Sequence, residues 1–400
     1  MRILFLAPYP PSLIRVRPFN WIKHLAAQGH QITLLALVSS AQEAADLNAV
    51  ARYCHRAEGI PFPRWRPVWN LLLALPQPSL PLQAAYTSSP AMMRRVRQTL
   101  QRNAFDIVHI EHLRSTTFAR AINGVPTVWD SVDCISLLFE RTLRGGPTLG
   151  SRLMARADLT RTRRYEGRQV GQYAVTLVTS PEDRAALQNL AQQRGHHTAN
   201  DIVVLPNGVD LTYFAPQELP RQLDRVIFTG KMSYHANVAA ALYLGQEIMP
   251  RIWQVRPDVR LQIVGKDPVP AVRALADDKR IMVTGYVPDM RPFLASAAVA
   301  TTPIRYGVGI QNKVLEAMAM RTPVVTAPQA RTALLAREEE HFLIGESTDD
   351  FAAQVIRLLN DRELAARIGA AGRQYVEEHH DWNHLAARLE QVYQQAIDSR

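Results

Sequence analysis

Short apolar runs alternate with stretches of helical periodicity, and the alternation occurs twice along the chain. In the first half the runs are Ile3–Ala7, Ile32–Leu37, Ile107–Ile110, Thr127–Trp129, Val175–Thr179 and Ile202–Leu205. In the second they are Val226–Thr229, Leu261–Val264, Ile281–Thr284, Val299–Thr302, Pro323–Thr326 and Phe342–Ile344. Continuous Val, Ile and Leu runs separated by helices predict parallel strands covered on both faces. The expected class is α/β, with two doubly wound parallel sheets. The polar, proline-containing stretch Pro206–Leu223 separates the two series and predicts domains over 1–215 and 222–378. A final helix carries Trp382, Leu385, Ala386, Leu389, Val392, Tyr393 and Ala396 at i, i+3, i+4, i+7 spacing, so one of its faces needs a packing partner. Open sheets of this kind take ligands at the carboxyl ends of their strands, and two such sheets facing each other would enclose a cleft.

Length and composition agree with two cores: 400 residues, 47% of them hydrophobic. No run approaches the ~20 apolar residues of a membrane-spanning helix. The opening Arg2–Ala7 is too short for a signal-peptide core and reads as a first strand. Cys54 and Cys134 form neither a metal spacing nor a disulfide framework, which fits a reducing cytoplasm. Charge divides unevenly. Residues 1–200 hold 24 Lys and Arg against 12 Asp and Glu, and the other 200 hold 22 against 24. The excess is mostly arginine, including Arg141, Arg144, Arg152, Arg156, Arg161, Arg163, Arg164 and Arg168. Such a surface could meet nucleic acid, an anionic bilayer or a phosphorylated substrate, or be a solvated helical face. The segment Phe62–Leu73 mixes Trp65, Trp69, arginines and leucines as a membrane-interface element does, or else packs inside the first domain.

The most informative stretch is Gly307-Val308-Gly309-Ile310-Gln311-Asn312-Lys313-Val314-Leu315-Glu316, which runs from a glycine loop into an apolar-faced helix. A helix N-terminus offers free backbone N–H groups and a dipole to an anion. Lys313 adds a mobile positive charge, and Glu316 can accept two ribose hydroxyls. The competing reading is an ordinary loop and helix with a solvated lysine and glutamate.

Read in order, several fragments resemble the retaining glycosyltransferases of family 4, which have the GT-B fold. They are Gln28-Gly29-His30, Val204–Asp210, Ile263-Val264-Gly265, Val283–Asp289, the Gly307–Val325 block and the Trp382 helix. The Asn-Lys and Leu-Glu-Ala-Met-Ala elements are most similar to bacterial exopolysaccharide-type sugar transferases. The resemblance implies two Rossmann-like domains facing a cleft, with the 382–400 helix packing back on the first. It implies a cytoplasmic enzyme, peripheral to the membrane, that moves a sugar from a nucleoside-diphosphate donor to a saccharide or lipid-linked acceptor. An anionic membrane is an expected partner and nucleic acid is not. No cofactor or metal is expected.

Carried over residue by residue, the resemblance places Glu316 on the nucleotide ribose and Gly309 and Ile310 at the diphosphate. Gly230 and Lys231 fall where a basic residue stabilises the departing diphosphate. Tyr286 and Val287 line the base. In the first domain it places His112 near the transferred sugar, with Glu111 as the alternative in register. Arg15 and Arg17 border the same cleft, as phosphate contacts or surface groups. Asp130 and Asp133 are the best carboxylates there, for catalysis or as hydrogen-bonding caps. The chain departs from the pattern at two places. Val308 replaces a sugar-contacting glutamate, so Gln311 or Asn312 would take over its contacts. Asn237 replaces a second phosphate-binding lysine six residues after Lys231, a charge that Lys313 would restore. Stabilisation of the leaving phosphate by preset amides and cations suffices for this chemistry. The alternatives are an inactive relative serving as a binding or assembly module and an epimerase or phosphorylase of the same fold. A dehydrogenase is disfavoured, because Leu6–Pro11 lacks the Gly-x-Gly-x-x-Gly turn.

Overall fold

The computed structural model describes residues 1–145, 149–195, 202–304, 312–328 and 334–399. It divides into two units. The first comprises Met1–Pro206 with Trp382–Arg400, and the second is Asn207–Asp381.

The first unit is built on strands β1 (Arg2–Ala7), β2 (Gln31–Val38), β3 (Arg56–Pro61), β4 (Ile107–Glu111), β5 (Thr127–Val132), β6 (Val175–Val178) and β7 (Ile202–Val204). They form one parallel sheet in the order β3-β2-β1-β4-β5-β6-β7. In β1, residues Ile3 to Ala7 are wholly buried because the strand feeds two cores. Leu4 and Leu6 face one core with Leu35, Val108 and Trp129, whereas Ile3, Phe5 and Ala7 face the other with Trp21 and Ile22. The helix Trp382–Asp398 completes the second of these cores. All seven of its periodic apolar residues are buried, and Trp382 meets Trp21 edge-on at 4.9 Å between ring centroids.

The second unit contains β8 (Gln222–Thr229), β9 (Arg260–Val264), β10 (Ile281–Val283), β11 (Ala297–Thr302), β12 (Val324–Thr326) and β13 (Leu343–Ile344). These also pair in parallel, in the order β10-β9-β8-β11-β12-β13. Val226 and Phe228 face one core and Ile227 the other, so this sheet too is covered on both faces.

The structure corrects the sequence in two details. The edge strand β3, Arg-Ala-Glu-Gly-Ile-Pro, carries no continuous apolar run, and only Ile60 is buried. Residues 207–215 belong with the second unit rather than the first. Val209 N donates to the His380 carbonyl at 2.8 Å, and His380 Nδ1 lies 2.6 Å from the Asn207 carbonyl oxygen.

Candidate functional site

In the second unit, candidate chemistry gathers where β8, β9 and the helix Asn312–Ala319 come together. Gly230, whose φ is +153°, directly follows β8, and Gly265, whose φ is +151°, directly follows β9. The two turns interlock: a Cβ on Gly265 would lie 1.8 Å from the Gly230 carbonyl oxygen, and one on Gly230 would lie 2.7 Å from Asn237 Nδ2. Only glycine fits these approaches. Asn237, in the first turn of the helix His235–Tyr243, donates through Nδ2 to the Lys231 carbonyl at 3.0 Å. Its Oδ1 accepts from Lys313 Nζ at 2.6 Å. The same ammonium lies 5.1 Å from the centroid of the Phe228 ring.

Lys313 and Glu316 are three apart and share one face of their helix. Burial pulls the Lys313 amine down to about 8, opposed by the charge of Glu316. Burial pushes the Glu316 carboxyl up to about 7, opposed by Lys313. Both groups therefore titrate near neutrality. Lys231 is half exposed and lies 3.7 Å from Asp267. Tyr286 is 74% exposed and follows Gly285, which takes φ +69° beyond β10. Val287 beside it is half-buried. Asn312 opens the helix, and its Oδ1 is buried without a partner among the described residues. Gly309, Ile310 and Gln311, with Val308, lie outside the described residues.

In the first unit, Arg17 and Asp130, which the sequence points to as an acceptor-side group and a catalytic group, are instead buried against each other. Arg17 is 4% exposed and Asp130 is 0%. Arg17 Nε and Nη2 donate to the two carboxylate oxygens at 2.7 and 3.1 Å. Trp21 Nε1 and the Val132 amide also donate to Asp130, each at 3.1 Å. Arg17 Nη1 holds the Leu205 carbonyl at 2.9 Å. Neither side chain has surface left for a substrate; the pair ties the helix Val16–Ala27 to the ends of β5 and β7.

Glu111 is also buried, and burial followed by the charge of Asp130 holds its carboxyl well above the usual range. His109 stacks on Phe5 at 4.2 Å between centroids, with Nε2 3.5 Å from Glu111 Oε2 and Nδ1 2.7 Å from the Tyr393 hydroxyl. Ligand atoms of His109, Glu111 and Asp130 all fall within 4.8 Å of one another. A dication there would displace or repel the Arg17 guanidinium, and Tyr393 already occupies His109 Nδ1. The donor set fits a proton-linked network better than a metal centre.

His112 is half-buried just beyond β4 at φ +65°. Its amide donates to the Asp130 carbonyl at 2.7 Å, and its Nδ1 accepts from the Arg114 amide at 3.2 Å. Burial, reinforced by Arg114, lowers its pKa to about 3, so the ring is neutral. Asp133 is partly exposed and accepts from Thr179 Oγ1 at 3.2 Å. Its pKa rises to about 6 through burial and then the charge of Asp183. Arg15 lies 4.5 Å over the Tyr9 ring and 3.3 Å from Glu43. Arg114, which no sequence motif singles out, donates to the Tyr9 hydroxyl at 2.7 Å. Its only advance signal is its place three residues beyond a strand's carboxyl end.

The two halves match known proteins in this order. Residues 16–213 match the family described as Glycosyltransferase Family 4, and residues 224–361 match Glycosyl transferases group 1. The phosphatidyl-myo-inositol mannosyltransferase of Mycolicibacterium smegmatis is 30% identical over 222 residues, 53% of this chain and 56% of that enzyme. The chain thus spans little more than half the length of that relative. The Mycobacterium leprae protein of the same name aligns along 100% of this chain and 98% of its own length at 24% identity. Among solved structures, the sucrose-phosphate synthase of Thermosynechococcus elongatus shares the fold with a TM-score of 0.71, at 18% identity and full coverage of both chains. With two parallel sheets, a shared fold along the whole chain and both halves matched in sequence, the chain belongs to the family 4 glycosyltransferases of the GT-B fold.

Proposed function

We propose that the protein transfers a sugar from a nucleoside-diphosphate donor to a saccharide or lipid-linked acceptor, with retention and without a metal. The observation that carries this reading is the Lys313–Asn237 contact beside the Gly230–Lys231 turn. It sets an ammonium beside the turn that carries Lys231, in the unit whose Glu316 suits a ribose. As the bond from the anomeric carbon to the phosphate oxygen breaks, negative charge grows on the diphosphate, and cations already in place stabilise it without reorganisation. The acceptor oxygen bonds to the anomeric carbon from the same face, and its proton passes to the departing phosphate oxygen. Glu316 holds the ribose hydroxyls. Gly309, Ile310, Gln311 and Asn312 are the proposed loop contacts to diphosphate and sugar, with Tyr286 and Val287 at the base. On the acceptor side, neutral His112 offers a ring nitrogen to a hydroxyl, and Asp133, just beyond the neighbouring strand β5, offers a partly exposed carboxylate.

A lipid-linked acceptor has support on the surface of the first unit. The helix Arg66–Ala74 exposes Val68, Trp69, Leu72 and Leu73, and Trp65 just before it is 59% exposed. Leu149, Leu153 and Met154 are also exposed, beside Arg152 and Arg156. Arg161 Nη2 donates to the Leu75 carbonyl at 2.9 Å and so ties the arginine-rich helix to the apolar one. No described helix is long and apolar enough to cross a membrane. Basic residues interleaved with half-sunk tryptophans and leucines suit peripheral docking on an anionic leaflet, here the cytoplasmic face.

Thermal-shift measurement across a panel of nucleotide-sugars tests the proposal, because a ligand held only by the folded chain raises its apparent stability by mass action. One donor should stabilise the protein and release its nucleoside diphosphate on incubation. Stabilisation without release would instead favour an inactive binding module.

A further inference from the structure

Tyr9 stands two residues beyond β1, and Arg114 three residues beyond β4, its neighbour in the sheet. Two guanidinium groups flank the Tyr9 ring: Arg15 with Cζ 4.5 Å from its centroid, and Arg114 at 5.6 Å. Arg114 is also 5.7 Å from the centroid of the Tyr86 ring and donates through Nη1 to the Tyr9 hydroxyl at 2.7 Å. The two cations are not equivalent. Arg15 is balanced by Glu43 at 3.3 Å, whereas no carboxylate among the described residues lies within 4.0 Å of Arg114. The Arg114 Nε is buried and unpartnered among those residues. A half-buried guanidinium held by two tyrosines, with a donor unspent and its charge uncompensated, is in want of an anion. Its planar fork matches the oxygens of a phosphate.

The main chain of Arg114 is tied to the apolar helix. Thr87 Oγ1 donates to the Arg114 carbonyl at 2.5 Å. Asn70, from the buried face of the helix Arg66–Ala74, donates to the carbonyls of Tyr86 and Ser88 at 3.1 and 2.8 Å. The 86–88 turn thus meets both the Arg114 main chain and the helix that exposes Trp69 and Leu72. We infer that Arg114, with Arg15 and Tyr9, recognises a phosphate group on an amphiphilic acceptor whose apolar part lies along that helix. This deepens the transferase reading and rests on it for assigning the phosphate to the acceptor rather than the donor.

Isothermal titration of the full chain with dihexanoyl phosphatidic acid below its micelle concentration tests the site, with dihexanoylglycerol and inorganic phosphate as separate arms. The parent should bind the phosphatidic acid at least tenfold more tightly than inorganic phosphate and should not bind the neutral lipid. Arg114→Gln should weaken phosphatidic acid at least tenfold, and Arg114→Lys less, with nucleoside-diphosphate affinity unchanged in both. Tyr9→Phe, which keeps the guanidinium and frees its anchor, should weaken the lipid several-fold and tests the site if Arg114→Gln does not fold. Equal affinity of parent and variants for the phosphatidic acid would overturn the inference, as would equal affinity of the parent for lipid and inorganic phosphate. Loss of nucleoside diphosphate binding in Arg114→Gln would move the guanidinium to the donor. A parent that binds the lipid phosphate but no nucleoside diphosphate would refute the transferase reading and leave the phosphate site standing.

Discussion

The Lys313 ammonium donates to Asn237 Oδ1 at 2.6 Å from a helix 76 residues further along the chain. In the pattern that the chain resembles, the second phosphate-binding lysine occupies position 237 itself. Here the amide at 237 is a bracket. It holds the Lys231 carbonyl with one end and the Lys313 ammonium with the other, and Gly230 leaves the space for it. On the donor-site reading proposed above, the positive charge is kept while its covalent attachment moves to another helix.

Glu316 stands one helical turn from that ammonium, and its proposed partners are ribose hydroxyls. Glu316→Ala should weaken nucleotide binding by roughly 1.5–3 kcal/mol, the range for a hydrogen bond to a charged group. Calorimetric titration with nucleoside diphosphates checks this. Unchanged affinity would take Glu316 out of the site.

The pH dependence of kcat/KM reports the ionisations of the free enzyme. Lys313, held down to about 8, loses its charge as pH rises past that value, and Glu316, raised to about 7, loses its charge as pH falls past that value. Both needed forms coexist best between about 7 and 8, and the rate should fall on either side. Lys313→Arg keeps its charge at high pH, so the alkaline limb should move upward. An unmoved alkaline limb would assign that ionisation elsewhere.

Trp382 is fully buried against Trp21 and opens the helix that closes one core of the first unit. Trp382→Ala should cost about 3–5 kcal/mol of stability by loss of transfer energy and creation of a cavity. Urea denaturation followed by circular dichroism measures it; a loss under 1 kcal/mol would mean that the helix is an appendage to that core.

The exposed helix Arg66–Ala74 should carry membrane binding. Trp69 and Leu72 are each about half exposed. Replacing both by serine forfeits roughly half of the ~1.5–3 kcal/mol that full burial of each would supply. Sedimentation with phosphatidylglycerol vesicles should fall about tenfold or more, and added salt should release the parent because exposed charges are screened within ~8–10 Å. Equal recovery of parent and double variant would place any membrane contact elsewhere.

The architecture was legible because doubly wound sheets bury whole strands, and runs such as Ile3–Ala7 or Leu261–Val264 show this without alternation. The helix bearing Lys313 and Glu316 was legible for a similar reason: spacing within one turn is local. Long-range pairing was not. Arg17 and Asp130 are 113 residues apart, and His109 meets Tyr393 across 284. Nothing in the residues around Arg17 distinguishes it from the solvent-facing arginines that crowd the first half. Glu166 escaped notice in the same way: amid arginines on its helix, it is buried and accepts the amides of Ile135 and Ser136 at 2.7 and 3.1 Å. Asn237 reads in sequence as a missing lysine; its second function emerges only when the helix at 312 is folded against it.

Moving the charge back tests the donor site most directly. Release of nucleoside diphosphate from a panel of nucleotide-sugars is measured for the parent, for Lys313→Met, and for Lys313→Met combined with Asn237→Lys. Removing a preset charge from a leaving group costs about 10²–10³-fold in turnover. Lys313→Met should lose that much with its fold intact, and the double variant, with an ammonium restored from position 237, should recover to within about tenfold of the parent. A parent that releases nucleoside diphosphate from no donor, or a double variant no faster than Lys313→Met, would contradict the account.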